Sequence, residues 1–98
     1  MTYKVHFSLE YYANFKDAKK WYNKQQVGLG KYFAANVKIA LNDIKKTPFF
    51  RVYYANIRCL QVPNFPYLIH FSIDETTNII YILAVINTDR NPEISYLK

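Results

Sequence analysis

Hydrophobic and polar positions alternate most clearly between Phe65 and Pro92. Tyr67, Ile69, Phe71 and Ile73 are interleaved with Leu68, His70, Ser72 and Asp74. That period of two predicts a strand with one continuous apolar row and one mostly polar row. Asp74 to Asn78 has no large apolar side chain and predicts a turn. Ile79 to Ile86 is then apolar at every position, rich in isoleucine and valine. Such a strand needs cover on both faces, which places it centrally in a sheet. Its two rows are Ile79, Tyr81, Leu83, Val85 and Ile80, Ile82, Ala84, Ile86.

The N-terminal half carries helical periods. Thr2 to Phe7 alternates briefly and predicts a short strand. Ser8 is a suitable N-cap, with Glu10 near the positive end of the helix that follows. Tyr11, Phe15, Ala18 and Tyr22 then recur at helical spacing, with Trp21 beside the stripe. Gly28-Leu29-Gly30 breaks that helix and opens another, one glycine suiting a left-handed turn and the second a close backbone approach. Leu29, Phe33, Val37, Ala40, Leu41 and Ile44 mark the second helix, which stops before Pro48. So short a link predicts an antiparallel helix hairpin. Phe49 to Tyr54 is aromatic without a clear period, and Ile57 to Val62 predicts a further strand before the Pro63-Asn64 turn. The expected architecture is α+β, in the order β-α-α-β-β-β. The N-terminal helix hairpin should pack on one face of a mostly antiparallel sheet.

Ninety-eight residues, 51% hydrophobic and 18% aromatic, fit one domain spanning 1–98 and exclude a disordered chain. No apolar run is long enough to span a membrane, and no basic-then-apolar leader is visible, so a cytoplasmic protein without membrane contact is expected. The lone Cys59 cannot form an internal disulfide and reads as a small buried residue. The net charge of +6 is unevenly placed. All of the surplus lies before Thr47, where nine lysines stand against Glu10, Asp17 and Asp43. The helix lysines Lys16, Lys19, Lys20, Lys24, Lys31, Lys38, Lys45 and Lys46 should stay exposed, as a solvated face or as a surface for a polyanion or an acidic protein.

Candidate chemistry is sparse. Two distant histidines and one cysteine make no metal cluster, and Gly28-Leu29-Gly30 lacks the strand and the G-K-[ST] of a phosphate loop, so neither metal nor cofactor is expected. Ser8, Ser72 and Ser95 have no nucleophile elbow. The remaining catalytic candidates are Arg58, His70, Arg90 and Tyr96. Arginine grips phosphate bidentately, histidine titrates near neutral pH, and tyrosine can stack on a base. Arg90 has a structural alternative, an ion pair with Asp89 or Glu93. For the fully apolar strand, Ile80, Ile82, Ala84 and Ile86 are the row expected to meet a partner, with Arg58 and Arg90 on its rim. Cover by Phe49–Tyr54 or Ile94–Leu97 of the same chain is the alternative.

Several pieces, in order and spacing, carry a family resemblance. They are the opening strand with Ser8, the helix with Tyr11, Phe15, Ala18 and Trp21-Tyr22, and Gln26-Val27-Gly28-Leu29-Gly30 followed by Phe33. Ile44 and Pro48, Ile57-Arg58, Phe65-Pro66-Tyr67 with Ile69, Ala84-Val85 and Arg90-Asn91-Pro92 complete them. Over nearly its full length the chain resembles the RelE/ParE superfamily of bacterial type II toxins, nearer the ParE-like, plasmid-stabilisation branch. The resemblance implies a microbial RNase-like fold and a cognate antitoxin that wraps the toxin. It implies one of two activities, poisoning of DNA gyrase or ribosome-dependent cleavage of mRNA. Residues 56–62 hold a single cation, Arg58, where ribonuclease members carry several. Gyrase inhibition is therefore the expected activity, with an mRNA endonuclease or a non-toxic binding member as alternatives.

Overall fold

A computed structural model describes residues 3–49 and 52–88. The chain opens with β1 (Lys4–Phe7), followed by α1 (Leu9–Gln25) and α2 (Leu29–Lys46). Strands β2 (Val52–Tyr54), β3 (Ile57–Gln61), β4 (Tyr67–Asp74) and β5 (Ile79–Asn87) complete it. The expected α+β order holds, with one addition. The aromatic stretch after Pro48 contributes β2, a three-residue strand on the sheet edge. The five strands lie in the order β1-β5-β4-β3-β2. Pairing is antiparallel from β2 to β5, and only β1 runs parallel to its neighbour, with Lys4 opposite Ile79 and Phe7 opposite Ile82.

Local chemistry sets the element ends. The Ser8 side chain accepts the Tyr11 N–H at 3.0 Å and its own hydroxyl donates to the Leu83 carbonyl at 2.7 Å, so one residue caps α1 and ties it to β5. Gly28 takes a φ of 89°, the left-handed turn that lets α2 start three residues after Gln26, the C-cap of α1. Gly30 lies where the two helices come closest: a Cβ built there would sit 2.5 Å from the Lys19 carbonyl oxygen. Its N–H donates to Asn23 Oδ1 at 2.9 Å. In the β4–β5 turn, Asp74 accepts the Thr76 N–H and Asn78 adopts a positive φ.

The core lies between the hairpin and one face of the sheet. Phe33, Val37, Ala40 and Ile44 of α2 are buried there with Ile69, Phe71, Ile80, Ile82 and Val85 of the central strands. Phe33 is its hub, with ring centroids of Phe65 and Tyr67 at 5.0 Å and those of Tyr22 and Phe15 at 5.4 and 6.0 Å. Asn36, also buried, donates to the Tyr32 carbonyl and accepts from Asn64, fastening the turn before β4 to α2. Among the described residues no helix is long and apolar enough to cross a membrane.

Candidate functional site

The two faces of β5 are not the two rows that simple alternation gives. His70 pairs with Ala84, but the next residue, Phe71, pairs with Ile82, so Leu83 is an extra residue in the strand. This β-bulge reverses the facing of everything after it. Ile80 and Ile82 precede the bulge and are sealed in the core under the helices, 0% and 1% exposed. The expectation that they face a partner is therefore corrected. Val85 returns to the core after the bulge, while Ala84 and Ile86 turn to the second face. There Ile86 joins Tyr54, Ile57 and Leu68, all half-buried, around the buried Cys59. Burial pushes the Cys59 thiol up to about 11, so it stays an inert thiol at neutral pH.

The four catalytic candidates do not assemble among the described residues. Arg58 is opposite Phe71 in the ladder and so shares the helix-side face, with its guanidinium carbon 5.6 Å from the centroid of the Phe49 ring. The expectation that it sits on the rim of the second face is corrected: β3 simply has the opposite phase. His70 is on the other side of the sheet, between Cys59 and Ala84, with the Tyr54 ring 6.4 Å away. Arg90 and Tyr96 lie outside the described residues.

His70 is 2% exposed, and its Nε2 has no hydrogen-bond partner among the described residues. Burial lowers its pKa from the usual 6.5, which keeps the imidazole neutral at physiological pH. Between the lowered folded value and 6.5 the unfolded chain binds more protons than the folded one. Stability attributable to this residue therefore rises with pH through that window and is fully present above it. His70→Leu is expected to flatten this slope in urea unfolding at about pH 5.5 and about pH 7.5, and to stabilise the neutral protein by about 1 kcal/mol by removing a buried unpaired polar atom. An unchanged slope in the variant would show that His70 is not the group that titrates on unfolding.

A feature that alternation could not reveal lies at the far end of β5. Strand β1 covers it only as far as Ile82. Beyond that point α1 takes over, and Asn14 Oδ1 accepts the Val85 N–H at 3.2 Å. A groove of about 440 Å³ runs between helix and strand, lined by Glu10, Asp17 and Trp21 on one side and Val85 to Asn87 on the other. Asn14 was the available signal, a polar residue at i+3 from buried Tyr11.

Compared by sequence, the chain matches no family model and no curated protein. Compared by structure, it matches a chain of a chromosomal ParDE TA system from P. aeruginosa with a TM-score of 0.76, over 88% of this chain and 96% of that one, at 10% identity. The chain has the RelE/ParE fold. A chain of the RelBE2 toxin-antitoxin complex from Mycobacterium tuberculosis also matches, with a TM-score of 0.63, over 89% and 99% of the two chains, at 18% identity. The expected helix hairpin on one face of a mostly antiparallel sheet is thus found, with β2 as an added edge strand.

Proposed function

We propose that this chain is the toxin of a type II toxin-antitoxin pair, a cytoplasmic protein of the ParE-like, plasmid-stabilisation kind. It acts by binding DNA gyrase and is neutralised by a cognate antitoxin. The fold shared with chains of a ParDE system and of a toxin-antitoxin complex supports the toxin reading. One observation carries the choice of target. The second face of the sheet presents the half-buried Ile57, Leu68 and Ile86, whereas Arg58 is turned to the opposite side. Cleaving RNA needs a base for the 2′-hydroxyl, cations for the phosphorane and an acid for the leaving oxygen. Apolar side chains around a buried histidine suit a protein contact instead. The antitoxin covers the same face at Leu68 and Ile86; Ala84, expected in the partner row, is itself buried and is withdrawn from it.

Inducing the chain alone in bacteria tests this reading. The expected result is growth arrest with the DNA-damage response switched on and translation intact, together with loss of supercoiling by gyrase when the purified protein is added. Early loss of translation with cuts in ribosomal A-site codons would overturn the gyrase reading, and undisturbed growth would overturn the toxin reading.

A further inference from the structure

Two metal-binding side chains stand next to each other under the second face of the sheet. Cys59 on β3 and His70 on β4 are Cα partners in the ladder, so their side chains leave the sheet on the same side. Cys59 is 5% exposed and His70 2%. Ala84 pairs with His70 on its other flank, and Tyr54, Ile57, Leu68 and Ile86 pack around Cys59. Among the described residues, His70 Nε2 is the buried side-chain nitrogen or oxygen left without a hydrogen-bond partner. Native proteins seldom bury such an atom idle, and the exceptions serve an ion, a water or a chemical step. A neutral imidazole protonated at Nδ1 holds a free lone pair at Nε2. The neighbouring sulfur becomes a ligand once its proton is displaced.

These two donors restrict the ion. Among the described residues no group of three or more His, Cys, Asp or Glu could hold a metal, so an ion that demands four protein ligands, such as structural zinc, is poorly served. Thiolate and imidazole together carry one negative charge. A divalent ion would leave an uncompensated positive charge among isoleucine and leucine side chains, which is costly, whereas a monovalent ion leaves none. Soft sulfur selects a soft ion. Cβ atoms of facing residues lie about 4.5–5.5 Å apart. Opposed bonds to sulfur and imidazole nitrogen, about 2.3 and 2.0 Å long in zinc sites, span a similar gap. We propose that Cys59 and His70 form a two-coordinate site for a soft monovalent cation, the cuprous ion. On binding, the Sγ–H bond breaks and its proton passes to solvent. Sγ and Nε2 then each donate an electron pair to Cu⁺, no electron is transferred, and the charge of the site is unchanged. The ion joins β3 to β4 beneath the face offered to partners, and the site does not rest on the toxin reading.

The whole chain, reduced and metal-free, is titrated anaerobically with Cu⁺ against a chromophoric cuprous chelator. The chain should retain one ion, with the ultraviolet charge-transfer band of a copper–thiolate bond and a shifted nitrogen NMR signal at His70 Nε2. His70→Leu, expected above to be the more stable protein, keeps the thiol and lacks the lone pair. It should bind more than about a hundredfold more weakly, since losing even an outer partner of a metal ligand costs about 10–100-fold. Cys59→Ala should abolish the charge-transfer band, and His6→Gln, at an exposed position of β1, should change nothing. Circular dichroism of each variant without the ion separates lost binding from lost fold. Zn²⁺ at the same concentration should not displace Cu⁺. A His70→Leu chain that holds the ion as tightly as the parent would reduce the site to a lone thiol and overturn the proposal. So would retention of the ion by Cys59→Ala, its displacement by Zn²⁺, or a parent chain that yields all its Cu⁺ to the chelator.

Discussion

Replacing Phe33 with alanine is expected to lower the unfolding free energy by about 3–5 kcal/mol, the usual cost of emptying a buried phenylalanine site. Phe33 is 0% exposed and touches rings from both halves of the molecule: Phe15 and Tyr22 of α1, Phe65 before β4, and Tyr67 within it. Truncation therefore loses transfer energy and leaves a cavity among large, rigid side chains that collapse poorly. A domain of this size has about 5–15 kcal/mol in all, so the variant should be close to unfolded at growth temperature. Val27→Ala is the matching control, because Val27 is 95% exposed between the helices and should change stability by less than about 0.5 kcal/mol. Urea unfolding followed by circular dichroism measures both. A loss at Phe33 no larger than that at Val27 would mean the hairpin does not dock on the sheet through this ring.

Gly30→Ala carries the second large effect, and there the sign is the test. Helix propensity alone favours alanine by about 1 kcal/mol in a helix interior. Against this, the new methyl carbon would lie 2.5 Å from the Lys19 carbonyl oxygen and 2.6 Å from Asn23 Oδ1. The first of these is backbone of α1 and can yield only if the whole helix moves. The second is the acceptor for the Gly30 N–H, so moving it aside sacrifices a hydrogen bond. We expect a net destabilisation of about 2 kcal/mol, within the range for overpacked sites. A stabilised Gly30→Ala variant would require the two helices to stand further apart than described.

Much of this arrangement is legible in the sequence because single positions leave little choice. The α2 stripe of Phe33, Val37, Ala40 and Ile44 keeps helical spacing, so its buried side is legible although Tyr32 and Ile39 are exposed on other faces. Glycine at position 30, one residue inside a helix, signals a close approach, and the contact with Lys19 bears that out. In β4 the Tyr67, Ile69, Phe71 and Ile73 row faces the helices as alternation predicts. Illegibility begins where neighbouring positions become chemically alike. From Ile79 to Ile86 both rows are apolar, so the pattern holds no record of phase and cannot show that Leu83 is supernumerary. Arg58 was misplaced for a related reason: Ile57, Cys59 and Leu60 are all apolar, so nothing in β3 tells its faces apart. His70 sits in a row with Ser72 and Asp74, and its burial depends on neighbours on β2, β3 and β5 that local pattern does not see. Strand β2 exists because β3 offers it a partner, and an aromatic run without alternation does not announce that.

The parallel pairing of β1 with β5 has a consequence in time. Ser8 and Leu83, joined by a hydrogen bond, are separated by 75 residues of chain. At about 5–20 residues per second, a ribosome needs roughly 4–15 s to make that interval. Throughout it the first strand has no partner, and the N-cap of α1 lacks its anchor on β5. Contacts of such long range form late and slow the search for the native state. Leu83 must thus be made before the second face of the sheet acquires its shape, and a chain cut short before Ile79 never presents it. A newly made molecule passes through a delay, fixed by topology alone, before this face exists.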